Sequence, residues 1–268
     1  TMSIKEEIDA FLAKQITAFD PETQQADVIH NNDGTFNLSY YTIWHNDYSD
    51  ELKGLPIFSF IMQKPHCEQI HQLEISAEDE GVNGTQNWDL DPIVEHENNL
   101  SKLHTLVFPI NTEENHNRII VTYQDYYEEN GGIGLLLDKT PNLKKLVIAS
   151  APNENFFNRE HHPLEVLEIQ TGYNHQSFIA NLAKANCFPN LKILHFRDYA
   201  EHYMEDFDDH VTPFIDYVAL LQSKNLPQLK EITLIDAVLS ESEKEELNSI
   251  ANDKGVQLKF EEIKNLHD

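Results

Sequence analysis

The chain has 268 residues and is strongly acidic, since 46 Asp and Glu against 19 Lys and Arg leave a formal net charge of -27 at pH 7. A field of that sign repels nucleic acid and anionic lipid and attracts basic proteins, so the composition excludes nucleic-acid and membrane partners. Hydrophobic residues make up 40% of the chain, which is enough for a packed core. The acidity serves either solubility or the encounter with a basic partner, and the composition leaves both interpretations open.

The amino-terminal residues and the cysteines indicate a compartment. Residues 2–11 carry Glu6, Glu7 and Asp9, which are foreign to a signal peptide. No stretch approaches the ~20 consecutive apolar residues of a membrane-spanning helix. Cys67 and Cys187 are too few for a secreted disulfide framework and are predicted to be buried thiols. Together these features predict a cytoplasmic protein.

Residues 1–66 differ from the rest of the chain and are predicted to form an N-terminal cap, a helix plus a β-hairpin. Residues 3–13 have the periodicity of an amphipathic helix. Residues 32–34 have the composition of a turn and precede an aromatic strand at 36–44. A second helix is expected within 52–63. Such an atypical end would shield the core of the part that follows.

Residues 67–268 contain a segment that recurs six times: an apolar residue, two others, an apolar residue, one other, and an apolar residue. The middle apolar residues, called the reference residues below, are Leu73, Leu106, Leu146, Leu167, Leu194 and Ile232. The last two apolar positions point to the same side of a short strand, so six such strands in a parallel sheet would share one core. The spacing varies from 21 to 40 residues, which indicates irregular repeats with insertions.

Segments with helical periodicity separate these strands, as parallel pairing requires. They lie at 91–99, where Asp91 is the expected cap, at 174–186, and at 211–221, where Phe214, Ile215, Val218 and Leu221 are expected on one core-facing side. Ser240 and Glu243 form a capping box for a last helix that is expected to end at Gly255, before a final strand at 257–260. The sequence predicts an α/β solenoid with a parallel sheet, continuous with the N-terminal α/β cap.

Three short motifs carry a resemblance to a known family. Residues 11–16 read FLAKQI and precede Phe19-Asp20-Pro21, residues 135–146 read LLLDKTPNLKKL, and residues 227–232 read PQLKEI. In these motifs the chain resembles the uncharacterised bacterial cytoplasmic leucine-rich-repeat proteins. The resemblance implies an irregular leucine-rich-repeat-like solenoid without established enzymatic activity. The chain departs from the repeat consensus because the asparagine that normally follows each strand is present only at Asn111.

Residues 198–210 are the densest polar cluster, with two histidines, six carboxylates and three aromatic residues. Neither the helical histidine spacing of zinc enzymes nor the calcium-loop pattern is present. A solvated acidic insertion is therefore favoured over a metal site, and no cofactor is expected. The aromatic residues make the segment a candidate for protein binding, because aromatic anchors dominate interface energies.

Two other motifs are interpreted as structural. Residues 131–134 read GGIG but lack the lysine and hydroxyl residue of a phosphate-binding loop, so they are predicted to be a flexible entry to a helix. The pair His161 and His162 precedes Pro163 in a predicted turn and is expected to be solvated.

The sequence contains no recognisable catalytic motif, and it favours a non-catalytic protein-binding module. The sharpest hypothesis is an acidic inhibitor or immunity protein that neutralises a basic partner such as a toxin. The predicted contact residues are Glu74, Glu168, Gln170, His195, Arg197, Tyr199, Tyr203, Glu205, Asp206, Phe207, Asp208 and Asp209. Two alternatives stay open: an unrecognised hydrolase or metal-dependent enzyme that uses residues 198–210, and a structural scaffold.

Overall fold

A computed structural model gives the fold of the chain. It describes residues 2–15, 24–42, 56–77, 86–113, 119–124, 129–171, 174–198 and 210–263. Within these ranges, strands and helices alternate along most of the chain and build a large, mostly parallel sheet with helices. The predicted α/β class is confirmed.

Nine of the described strands form one sheet, and two form a small separate sheet. The strands are β1 (Gln24–His30), β2 (Phe36–Thr42), β3 (Ile70–Ala77), β4 (Gln86–Asp89), β5 (Thr105–Val107), β6 (Ile119–Thr122), β7 (Lys145–Ile148), β8 (Val166–Gln170), β9 (Ile193–Arg197), β10 (Glu231–Ile235) and β11 (Gln257–Glu261). The large sheet has the order β1-β2-β3-β5-β7-β8-β9-β10-β11, and β4 pairs with β6. Every pair is parallel except β1 with β2.

The described helices lie mostly between the strands. They are α1 (Ile4–Gln15), α2 (Pro56–Ile61), α3 (Asp91–Val94), α4 (Gly132–Lys139), α5 (Phe178–Lys184), α6 (Phe214–Gln222) and α7 (Glu241–Lys254). Helix α7 begins with the predicted capping box between Ser240 and Glu243 and ends at Gly255, whose φ of 69° is in the left-handed region. Both predicted ends of this helix are confirmed.

The six reference residues lie side by side across the sheet. In strand order they are Leu73, Leu106, Leu146, Leu167, Leu194 and Ile232, each paired with the next. All are buried in one hydrophobic core. The parallel sheet and the register predicted from the repeated segment are therefore confirmed.

The N-terminal part extends the same sheet. Strands β1 and β2 form an antiparallel hairpin, and β2 pairs in parallel with β3. Asp33 shapes the turn, because its Oδ1 accepts hydrogen bonds from the Thr35 N–H at 3.0 Å and the Thr35 hydroxyl at 2.6 Å. Gly34 follows with a φ of 84°, which a residue with a side chain rarely adopts. Helix α1 buries Ile8 in the common core.

Two predicted helices differ from the structure. Helix α3 has four residues, and Asp91 is its first residue rather than its cap. In α6, Ile215 is 65% exposed, whereas Tyr217 and Leu220 are buried. The prediction that Ile215 lies on the core face is wrong, because residues 214–221 are apolar at every position except Asp216 and their pattern does not define which face points inward.

The glycines of residues 131–134 permit close packing. Gly132 and Gly134 lie inside α4, where a Cβ on Gly132 would be 2.7 Å from the Cβ of Tyr123. A Cβ on Gly134 would be 3.1 Å from the carbonyl of Asn155. Two of these glycines are thus part of the helix and its contacts, and the prediction of a flexible entry is wrong for them.

His162 is buried and only His161 is exposed, so the expectation of a solvated histidine pair is wrong. The Nε2 of His162 lies 3.1 Å from the carbonyl oxygen of Thr140 and donates its proton to it. Its Nδ1 has no hydrogen-bond partner among the described residues. Removal from water lowers the pKa of His162 to about 4 from its ordinary 6.5.

We expect this histidine to make the protein less stable as the pH falls from 6.5 to about 4. In that interval the unfolded chain binds a proton at His162 and the folded protein does not. The free energy of unfolding should fall by about 1.4 kcal/mol per pH unit, or about 3 kcal/mol in total. Urea unfolding of wild type and His162→Gln across this pH interval measures the contribution of His162. The other titratable groups are present in both proteins, so their contributions cancel in the comparison.

His161→Asn is the matched control for this experiment, since it removes the exposed neighbour and should keep the wild-type slope. If the free energy of unfolding changes with pH in the same way in wild type and His162→Gln, the folded protein does not oppose protonation of the His162 imidazole.

Candidate functional site

Five adjacent strands contribute ionisable side chains to a contacting group on the sheet face opposite the core. These residues, called the charged row below, are Lys145, Glu168, His195, Glu231 and Lys259. The Nζ of Lys145 is 2.8 Å from Glu168 Oε1, and that of Lys259 is 3.2 Å from Glu231 Oε1. His195 lies between the two carboxylates, with Nδ1 3.9 Å from Glu168 and Nε2 3.6 Å from Glu231. All five side chains are partly exposed, so a partner's charges can compete for them.

Glu74 lies apart from this row. It is exposed on β3 and has the same position along its strand as Glu168 has along β8. The two strands between them have Val107 and Val147 at that position. Three strand spacings amount to about 14 Å. The structure therefore brings Glu168 and His195 together and leaves Glu74 outside their contact range.

The segment that follows β5 covers the carboxyl-terminal part of this face. The N–H of Asn111 donates to Gln170 Oε1 at 2.7 Å, and Nη1 of Arg197 donates to the Asn111 carbonyl at 3.2 Å. Gln170 and Arg197 are only 3% and 4% exposed. Both are predicted contact residues, and neither can reach a partner while the segment stays in place. We therefore remove them from the contact surface.

A buried ion pair holds Arg197. Its Nε donates to Asp236 Oδ2 at 2.7 Å, and its Nη1 lies 3.3 Å from Gln170 Oε1. The other oxygen of Asp236 accepts a hydrogen bond from the Ile263 N–H at 2.9 Å. These bonds connect β8 and β9 to Asn111 after β5 and to Asp236 after β10, and Asp236 is bonded in turn to Ile263 after β11. Arg197 has a structural role in this network.

Seven predicted contact residues lie outside the described residues: Tyr199, Tyr203, Glu205, Asp206, Phe207, Asp208 and Asp209. The described ends of their segment are bonded together, because the Asp198 carboxylate accepts hydrogen bonds from the Thr212 N–H at 2.9 Å and the Tyr217 hydroxyl at 3.0 Å. Burial and the Asp198 charge raise the pKa of Tyr217 well above its ordinary value, so it remains a donor. Since Asp198 directly follows β9, the segment leaves and rejoins the described fold at the carboxyl edge of the sheet.

Two apolar side chains are exposed near the same edge. Ile215 is 65% exposed at the start of α6, three residues after Thr212. Val238 is 40% exposed three residues after the end of β10. Contiguous exposed apolar patches mark protein contact sites, and these two side chains contribute apolar surface near this edge. Periodicity assigns Ile215 to the core, so its exposure could not be predicted from the sequence pattern.

The opposite edge of the sheet is mainly basic. The residues two positions before the reference residues are His71, His104, Lys144, Glu165, Lys192 and Lys230. Lys144 and Lys192 both contact Glu165, at 3.2 Å and 2.5 Å. Residues 198–210, which follow β9 in the chain, contain six carboxylates and no Lys or Arg.

The described residues offer few groups for chemistry. Among them, no set of three or more His, Cys, Asp or Glu side chains is placed to hold a metal ion. Cys67 and Cys187 are buried free thiols, as predicted. Burial raises the pKa of Cys187 to about 11, so its thiol is protonated and unreactive near neutral pH. None of the described helices has the length and apolar character that a bilayer crossing requires.

Comparisons with known proteins were made with family models and with curated proteins. No family model matches the chain, and no curated protein matches it. The function is therefore inferred from the surface described above.

Proposed function

We propose that the protein is a non-catalytic binding module whose acidic carboxyl edge binds a basic protein. The main support is that Asp198 and Thr212, which flank the acidic residues 199–209 in the chain, are hydrogen-bonded to each other at this edge. The exposed side chain of Ile215 follows three residues after Thr212, and that of Val238 follows the carboxyl end of β10. Carboxylates guide the encounter with a basic partner, and apolar anchors slow its dissociation.

We also propose that the sheet is the inner surface of an irregular leucine-rich-repeat-like solenoid. The support is the strand order, which follows the chain through β5, β7, β8, β9, β10 and β11, with all reference residues in one row. Solenoids use the exposed sheet face for binding. On that face, Glu168 and His195 of the charged row lie in the middle of β8 and β9 and would contact the same partner.

The proposed role is that of an inhibitor or immunity protein that neutralises a basic toxin in the cytoplasm. The net charge of -27 favours fast association with such a partner. The buried free thiols Cys67 and Cys187 agree with a reducing compartment.

To test the proposal, the chain is immobilised and used to recover a basic protein from the native host. The recovered protein is purified, and its binding to the chain is measured at low and high salt. Replacement of four carboxylates of the segment by serine, at Glu205, Asp206, Asp208 and Asp209, should slow association about tenfold at low salt and flatten its salt dependence. Ile215→Ser should instead raise the dissociation rate constant, because it removes an apolar anchor without changing the charge. Stopped-flow or surface-plasmon measurements give both constants.

A matched control removes the same charge elsewhere. Serine replaces four exposed carboxylates away from the carboxyl edge, at Glu95, Glu97, Glu245 and Glu246. If this variant slows association as much as the first, the electric field of the whole chain guides the partner, and the result gives no support for a local site. If neither variant changes association, the acidic segment is a solvated insertion.

A further inference from the structure

The imidazoles of His71 and His104 lie in contact at the amino edge of the sheet. The N–H of His104 donates to the carbonyl of His71 at 2.8 Å, so the sheet fixes the two backbones relative to each other. His71 Nε2 and His104 Nδ1 are 2.9 Å apart, and the ring centres are 4.5 Å apart. The pair lies at the opposite end of the strands from the proposed protein-binding edge.

The two distances fit a chelating pair better than a linear hydrogen bond. In a linear N–H···N bond of this length the ring centres would be about 5.2 Å apart, because each centre lies about 1.15 Å behind its nitrogen. Two imidazoles that bind one metal ion at about 2.0–2.1 Å, with a right angle at the metal, have nitrogens about 2.9 Å apart and ring centres about 4.5 Å apart. The observed nitrogen and ring separations match the second arrangement.

Lys144 lies at the same edge as the pair, but the chain as a whole is acidic. The net charge of -27 adds a long-range attraction for cations.

We propose that His71 and His104 form a two-histidine binding site for a divalent transition-metal ion. Imidazole binds Cu(II), Ni(II) and Zn(II), and the general affinity order places Cu(II) first. The described residues supply no set of three or more His, Cys, Asp or Glu ligands. Water would fill the remaining coordination positions.

Titration of the untagged full chain with copper(II) chloride tests the site by calorimetry and electron paramagnetic resonance. We expect one equivalent of copper bound through two imidazole nitrogens. His71→Asn and His104→Asn should each weaken the affinity at least about tenfold, because either variant leaves a single ligand. Nickel and zinc should bind at the same site more weakly than copper.

His161→Asn is the control, since it removes an exposed histidine outside the pair and should leave the copper affinity unchanged. The surface position of the pair predicts unchanged circular dichroism in all three variants. Equal copper affinity in wild type and His104→Asn would overturn the proposal and leave a hydrogen-bonded pair. An equal loss in His161→Asn would also overturn it, because copper would then bind exposed histidines without selectivity.

Discussion

Replacing Leu194 with alanine should lower the free energy of unfolding by about 2 to 5 kcal/mol. Leu194 is fully buried, and it lies between Leu167 of β8 and Ile232 of β10 in the row of reference residues. The neighbouring strands are fixed by their ladders and can only partly close the cavity that alanine leaves. Urea denaturation followed by circular dichroism measures the loss, provided that the slope with denaturant stays constant.

Leu135 provides the control for this substitution, because it lies on α4 with 39% of its surface exposed. Leu135→Ala should change the free energy of unfolding by less than about 1 kcal/mol. Leu167→Ala should behave like Leu194→Ala, since both residues are fully buried on neighbouring strands. If Leu194→Ala costs no more than Leu135→Ala, Leu194 is not a core residue.

The sheet could be predicted because each strand carries its own local signal. Residues such as Leu146 and Ile148 are two apart, so both point into the core wherever the strand lies in the fold. The ends of α7 could be predicted for the same reason, since the capping box and Gly255 act within one turn of helix. Local chemistry decides these features, and the sequence displays it directly.

The burial of polar residues could not be predicted from local pattern. Gln170 and Arg197 alternate with core residues and look like residues of an exposed face. They are buried because Asn111, 86 residues before Arg197, lies over them. His162 is buried in the same unexpected way, bonded to Thr140 after a turn that looks polar in sequence. Contacts between distant parts of the chain set the environment of these side chains.

The candidate contact surface contains some residues that the sequence pattern predicts correctly and others that it does not. Glu168 and His195 are adjacent and partly exposed, as alternation along two neighbouring strands predicts. Ile215 adds an exposed apolar group that periodicity assigned to the core. A sequence pattern of period two predicts which side of a sheet a residue is on, but exposure depends on what else packs against that side.

Replacing Arg197 with methionine should lower the free energy of unfolding by about 3 to 5 kcal/mol, because it leaves the buried carboxylate of Asp236 without its cation. The same change removes the Arg197 donor from the Asn111 carbonyl, so the segment over the sheet should loosen. Urea unfolding gives the energy. Hydrogen exchange at the Asn111 N–H, which donates to Gln170, should become faster in the variant.

The double variant Arg197→Met with Asp236→Asn separates the charge from the packing. It removes both charges, and asparagine tolerates the φ of 55° at position 236, so the double variant should be more stable than Arg197→Met alone. Lys145→Met is the exposed counterpart, because it breaks a pair with Glu168 at the surface and should cost less than about 1 kcal/mol. A loss below about 1 kcal/mol in Arg197→Met, with unchanged exchange at Asn111, would mean that the ion pair does not hold the segment in place. The face of β8 and β9 would then be open to a partner, and Gln170 and Arg197 would return to the contact surface.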